Sequence, residues 1–128
     1  MYIGIGKGEV EKLNVATALK GKFLVINFKF DEYVIDISKI DSLYYRKDEE
    51  DEREIFPDGV KNIVYNDSIS IDFADNDLII DFPNSRELDE QERNLIFQLY
   101  KKIKVYWATW KEKYEGFDLE SLPVEIAK

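Results

Sequence analysis

Residues 21–46 read GKFLVINFKFDEYVIDISKIDSLYYR, and the apolar side chains in this stretch recur at every second position. Leu24, Ile26, Phe28 and Phe30 alternate with Val25, Asn27 and Lys29; Tyr33, Ile35 and Ile37 alternate with Val34 and Asp36. A period of two puts each set on one face of a strand, so the stretch predicts a hairpin turning at Asp31-Glu32. A third strand is expected around Ile40 to Arg46, with Leu43 and Tyr45 on one face and Tyr44 and Arg46 on the other.

Working outward, seven consecutive charged residues, DEEDERE, occupy positions 48–54. A run of that kind has nothing to pack with, and it reads as a solvated loop. Pro57-Asp58-Gly59 supplies a turn, and strands resume at Val60 to Tyr65, Ile69 to Phe73 and Leu78 to Phe82, with a short reversal at Asp75-Asn76-Asp77. Further on, Asp89 followed by Glu92 is a capping-box start. Leu95, Ile96, Leu99, Ile103, Tyr106, Trp107, Trp110 and Tyr114 then recur at helical spacing, up to a C-terminal signal at Gly116. That apolar stripe must lie on the sheet. The opposite side of the helix carries Phe97, with Tyr100 at its border and Arg93, Lys101, Lys104 and Lys111 around them.

The expected architecture is α+β: a curled antiparallel sheet, partly open as a barrel, with one long C-terminal amphipathic helix packed against it. With 128 residues the chain makes a single domain. It divides into an N-terminal segment of unassigned structure (1–20), strands (21–82), the helix (89–115) and a tail (116–128) whose Phe117, Leu119, Leu122, Val124 and Ile126 predict docking. Gly4, Gly6 and Gly8 in GIGKG lack a preceding strand and a following GK[ST], so they do not make a phosphate loop.

Charge is distributed unevenly. The formal net charge is −9, but residues 31–92 hold 20 Asp and Glu against 6 Lys and Arg, and both flanks are net basic. Such a surface repels phosphate backbones and anionic bilayers, which are bound mainly through Lys and Arg. It suits a basic protein partner instead. The candidate contact residues are the acidic run Asp48, Glu49, Glu50, Asp51 and Glu52, an outward row of Asp36, Asp72 and Asp81, and the helix side bearing Phe97, Tyr100 and Lys104.

The chemistry available is narrow. Without His or Cys the chain lacks the commonest general base, imidazole metal ligands and thiolate nucleophiles. Its serines have no imidazole to activate them. Asp75-Asn76-Asp77 is followed by Ile79 and Ile80 where a calcium loop needs an oxygen ligand and a glycine, so it reads as a turn. No enzyme activity, cofactor or metal is expected. With no apolar run of 18 residues and no charged-then-apolar N-terminus, the expectation is a cytoplasmic protein without a membrane span or signal peptide.

The segments GKFLVINFKFDEYVIDISKIDSLYYRK and ISIDFADNDLIIDFPNSRELDEQERNLIFQLYKKI together resemble the strand core, closing hairpin and C-terminal helix of pleckstrin-homology-like and GRAM-like domains over residues 21–103. That resemblance implies binding of phosphoinositides or of proteins and peptides. In the region that would hold a phosphoinositide stand only Lys20, Lys22 and Lys29, which favours the protein-binding use. The leading expectation is a non-catalytic protein-binding module, in its specific form an inhibitor or immunity-type protein masking a basic surface. The alternatives are a self-assembling component of phage or mobile-element type, in which the chain forms homo-oligomers, and a small-ligand-binding domain using the mouth of the curled sheet.

Overall fold

The computed structural model describes residues 1–55, 59–115 and 124–126, with side chains over 1–52 and 59–113. The strand expectations divide into two sheets that curl without closing into a barrel. The smaller sheet is a meander of β2 (Val15–Lys20), β3 (Phe23–Phe28) and β4 (Asp31–Asp36). Its register runs Leu24↔Ile35 and Thr17↔Ile26, so Val15, Leu24, Ile26, Phe28 and Ile35 share one buried face. The hairpin turns two residues earlier than the alternation suggests. Phe28 pairs with Asp31, Lys29 takes a left-handed φ of 55°, and Phe30 is fully exposed at the tip.

The larger sheet is mixed. β5 (Ile40–Ile55), β6 (Val60–Phe73) and β7 (Asn76–Phe82) run antiparallel, and two three-residue strands add in parallel at its edges: β1 (Tyr2–Gly4) against β7 and β8 (Val124–Ile126) against β5. β8 places part of the C-terminal segment on the sheet edge; Phe117, Leu119 and Leu122 lie outside the described residues, as do Pro57, Asp58 and Gly116. The two sheets separate where a single 3-10 turn, Ile37–Lys39, breaks the extended chain between β4 and β5. The initial segment, unassigned from sequence, contributes β1 and a short helix α1 (Lys7–Lys12). Glu9 accepts a hydrogen bond from Gly6 N at 2.9 Å, and Leu13 ends the helix in a left-handed conformation.

The long helix α2 (Glu90–Glu115) starts where its capping box predicts. Asp89 Oδ1 accepts from Glu92 N at 2.8 Å, and Asp89 N donates to Glu92 Oε1 at 3.1 Å. Its buried stripe is Ile96, Leu99, Tyr100, Ile103 and Trp107, at steps of three and four. It packs with Leu43, Tyr45, Ile69, Ile71, Leu78, Ile80 and Phe82 from the large sheet, and with the small sheet's inner face, in one core.

The stripe is rotated from its expected centre because Tyr45 on β5 takes up the aromatic side. Its ring lies 5.5 Å from both Phe97 and Tyr100. Trp107 is fully buried whereas Trp110 sits at the margin of the core. Truncating Trp107 to Ala is therefore expected to cost about 3–5 kcal/mol. Trp110→Ala should cost less, and urea unfolding of the two variants checks the order.

Candidate functional site: an acidic arm, its root and a groove

The long hairpin of β5 and β6 outruns the rest of the sheet. Pairing of β6 with β7 stops at Asp67↔Phe82, yet β5 and β6 stay paired from Glu49↔Asn66 to Ile55↔Val60. At about 3.3 Å per residue these seven pairs make a ribbon some 20 Å long. Along it Glu49, Glu50, Glu52, Lys61, Asn62 and Ile63 are exposed, and Asp51 is half-buried. The expected DEEDERE loop is thus a strand. A two-stranded ribbon needs no buried face for each of its residues, because cross-strand hydrogen bonds to β6 satisfy alternate backbone groups, water satisfies the rest, and the carboxylates stay in water. Lys61 adds an ion pair to Glu52 at 3.4 Å.

At the root of this arm the register shifts between Arg46 and Glu49, and Asp48 adopts a left-handed φ of 57°. The turned-in backbone N–H of Asp48 donates to Asp67 Oδ1 at 3.0 Å. Asp67 is completely buried. Arg93, from the first turn of α2, grips it with two bonds, Nη2 to Oδ1 at 2.7 Å and Nε to Oδ2 at 3.1 Å, and also reaches Asp48 Oδ1 at 2.8 Å. Ser85 Oγ adds a donor to Asp67 Oδ1 at 2.8 Å. Arg86 completes the set: its Nε lies 3.3 Å from Asp48 Oδ1 and its guanidinium lies over the Tyr65 ring at 3.5 Å.

A cation near a helix N-terminus opposes the helix dipole, so Arg93 is placed there by its carboxylates and not by α2. Its hydrogen bonds to Asp67 raise its pKa, although burial acts to lower it. At Asp48 burial acts the other way, to raise the carboxyl, but the guanidinium groups of Arg93 and Arg86 outweigh it and hold the carboxyl below its ordinary value. Burial, reinforced by the Asp67 charge, pushes the neighbouring Tyr45 phenol up to about 12.

Beside the root, on the outer face of the large sheet, lies a groove of about 230 Å³. The register Arg46↔Ser68↔Asp81 and Ser70↔Ile79↔Tyr2 brings these side chains onto one face, and Asn66 with Glu49, Glu50 and Asp51 closes the end nearest the arm. Tyr2 donates to Asp81 Oδ2 at 2.5 Å, Ser68 to Glu49 Oε2 at 3.4 Å, and Arg46 lies 3.9 Å from Glu49.

The residues expected to make contacts therefore have different environments. Glu49, Glu50 and Glu52 are exposed on the arm, Glu49 beside Arg46 and Ser68 and Glu52 beside Lys61; Asp51 faces the groove, and Asp48 is engaged in the root. The outward row does not form one surface. Asp36 caps the 3-10 turn of the small sheet, accepting from Ser38 N at 3.0 Å and pairing with Lys22 at 3.4 Å. Asp72 is half-buried and accepts from Ser42 Oγ at 3.0 Å. Asp81 was expected in open solvent but is 6% exposed, sunk between Tyr2 and the serines of β6.

The aromatic helix side is likewise corrected. Tyr100 is fully buried and Phe97 half-buried, both against Tyr45, so neither forms an exposed patch. Lys104 is half-buried nearby, and Lys101 covers the outer side of Phe97 with its ammonium 5.7 Å from the ring. Arg93, grouped with those lysines from sequence, belongs to the root. The sequence reading overlooked Asp67, although the signal was present: Asp67 shares the inward parity of Ile69 and Ile71.

Among the described residues no three His, Cys, Asp or Glu side chains come together as a metal-holding group, and no helix is long and apolar enough to cross a membrane. Comparison of the chain with protein-family models, curated proteins and solved structures finds no match in any of the three. The root makes a direct prediction. Arg93→Ala leaves the Asp67 carboxylate buried without its partner and is expected to cost about 3–5 kcal/mol in urea unfolding. Arg93→Met combined with Asp67→Asn should recover much of that loss.

Proposed function

We propose that this chain is a non-catalytic protein-binding module of inhibitor or immunity type, which uses its acidic arm to cover a basic surface of a partner protein in the cytoplasm. The observation that carries this reading is the presentation of Glu49, Glu50, Asp51 and Glu52 on a ribbon fixed at its root by the buried Asp67–Arg93 pair. Carboxylates on a pre-ordered strand lose less conformational freedom on binding than the same residues on a loop. Their field speeds encounter with a cationic surface. A three-stranded meander, a second meander and a closing helix also support the pleckstrin-homology-like reading, in its protein-binding rather than lipid-binding use.

Self-assembly is the second reading. Lys101 and Lys102 on α2 flank Val105, which is 57% exposed, and this cationic, partly apolar strip is complementary to the arm of another copy.

The triple reversal Glu49→Lys, Glu50→Lys and Glu52→Lys tests the arm. Its melting temperature is expected to stay near that of the wild type, because exposed charges contribute little to stability. In affinity capture from the source cell, a partner held by the wild type at low salt should be weakened by added salt and lost with the triple variant. Capture that is insensitive both to salt and to the reversal contradicts the proposal. A concentration-dependent rise in mass of the purified chain, abolished by the same variant, identifies the partner as a second copy.

A further inference from the structure

The groove at the root of the arm is built for more than a share of the surface charge. We infer that it is a subsite for one arginine side chain carried by the bound partner; this deepens the acidic-arm reading and rests on it. Size is the first argument. At about 230 Å³ the groove falls below the roughly 300–1,000 Å³ of sites that take drug-sized ligands, and it matches a side chain better than a nucleotide or a folded peptide.

Charge is the second. Four carboxylates line the groove, from Glu49, Glu50, Asp51 and Asp81, against the one guanidinium of Arg46, which is spent on Glu49 at 3.9 Å. The carboxylates are spread along the groove and do not converge as a metal-holding group. That arrangement favours an extended cation with several N–H donors over a point charge.

Ser70 lines the groove at 6% exposure, and among the described residues its hydroxyl has no hydrogen-bond partner, whereas Ser68 beside it donates to Glu49. A hydroxyl that opens only into the groove can accept from a donor placed there. Ser is also a poor filler for a strand face where β-branched residues pack best, and it is the smallness of Ser68 and Ser70 that leaves the hollow. The Tyr2 ring forms one wall.

The test uses the full chain, labelled with nitrogen-15 and titrated with N-acetyl-arginine amide, with the uncharged N-acetyl-citrulline amide as its isostere. The arginine amide is expected to give saturable shifts concentrated at Ser68, Ser70, Ile79 and Asp81, with millimolar affinity, and the citrulline amide none. Ser70→Val, which fills the hollow with a residue favoured in strands, should abolish saturation. Ser70→Ala, which keeps the hollow and removes the acceptor, should weaken binding about tenfold. Shifts that grow linearly and scatter over all exposed carboxylates overturn the subsite, as does unaltered binding to both variants. In that case partner capture that still depends on the Glu49, Glu50 and Glu52 charges leaves the arm reading standing. Saturable binding in the groove together with capture indifferent to arm charge sustains the subsite and removes the arm.

Discussion

The buried ion pair between Asp67 and Arg93 is the constraint around which the rest of the molecule is arranged. A carboxylate at zero exposure is tolerable only with its oxygens fully engaged, and three separate elements contribute donors: the backbone of Asp48 at the β5 irregularity, Ser85 in the 3-10 turn before α2, and Arg93 in the first turn of α2. Each donor fixes the position of its element. The bulge at Asp48 sets where the arm leaves the sheet, the Ser85 turn sets the approach to the helix, and the arginine sets the height of α2 above β6. A pair of this kind is no great source of net stability, because desolvation offsets most of its attraction. Its effect is on specificity: an arrangement that misplaces any of the three leaves a buried charge unsatisfied.

From that root the acidity of the chain acquires a geometry. Part of it is structural, as in Asp48 and Asp67, or serves as a cap, as in Asp36 on the 3-10 turn and Asp89 on α2. What is left for a partner is concentrated on the arm and in the groove at its base, since Asp51 and Glu49 belong to both. An open two-stranded ribbon would ordinarily invite unwanted strand pairing. The row of Glu on β5 guards that edge by charge repulsion. The acid residues thus keep the arm soluble and also give it its affinity for cations, a double use that accounts for so strong a local excess of one sign.

Much of this was legible in the chain. Alternation at Leu24, Ile26 and Phe28 and at Ile69 and Ile71 gave the strands their faces, and Asp89 with Glu92 marked the start of α2, because local periodicity and capping depend on near neighbours alone. The arm was not legible, because DEEDERE has no strand propensity of its own and is extended by its register with Val60 to Asn66, a template distant in sequence. The burial of Tyr100 likewise depends on Tyr45, 55 positions away in the chain, and the short parallel strands at the sheet edges are too brief to carry a pattern. Asp67 could have been found. A charged residue at inward parity between apolar neighbours demands a buried cation, and Arg93, out of place at a helix N-terminus, was the candidate.

The central claim is that the acidic stretch is an ordered strand held from its root and not a mobile loop. Amide hydrogen exchange resolved by residue tests it most directly, comparing positions 49–52 and 61–64 of the arm with the loop tip at Phe30. The account predicts alternating protected amides along both strands of the arm, protection that Arg93→Met lowers there before it lowers it in β7. Uniformly fast exchange across positions 49–52 and 61–64 in the native chain, at the rate of Phe30, would contradict it.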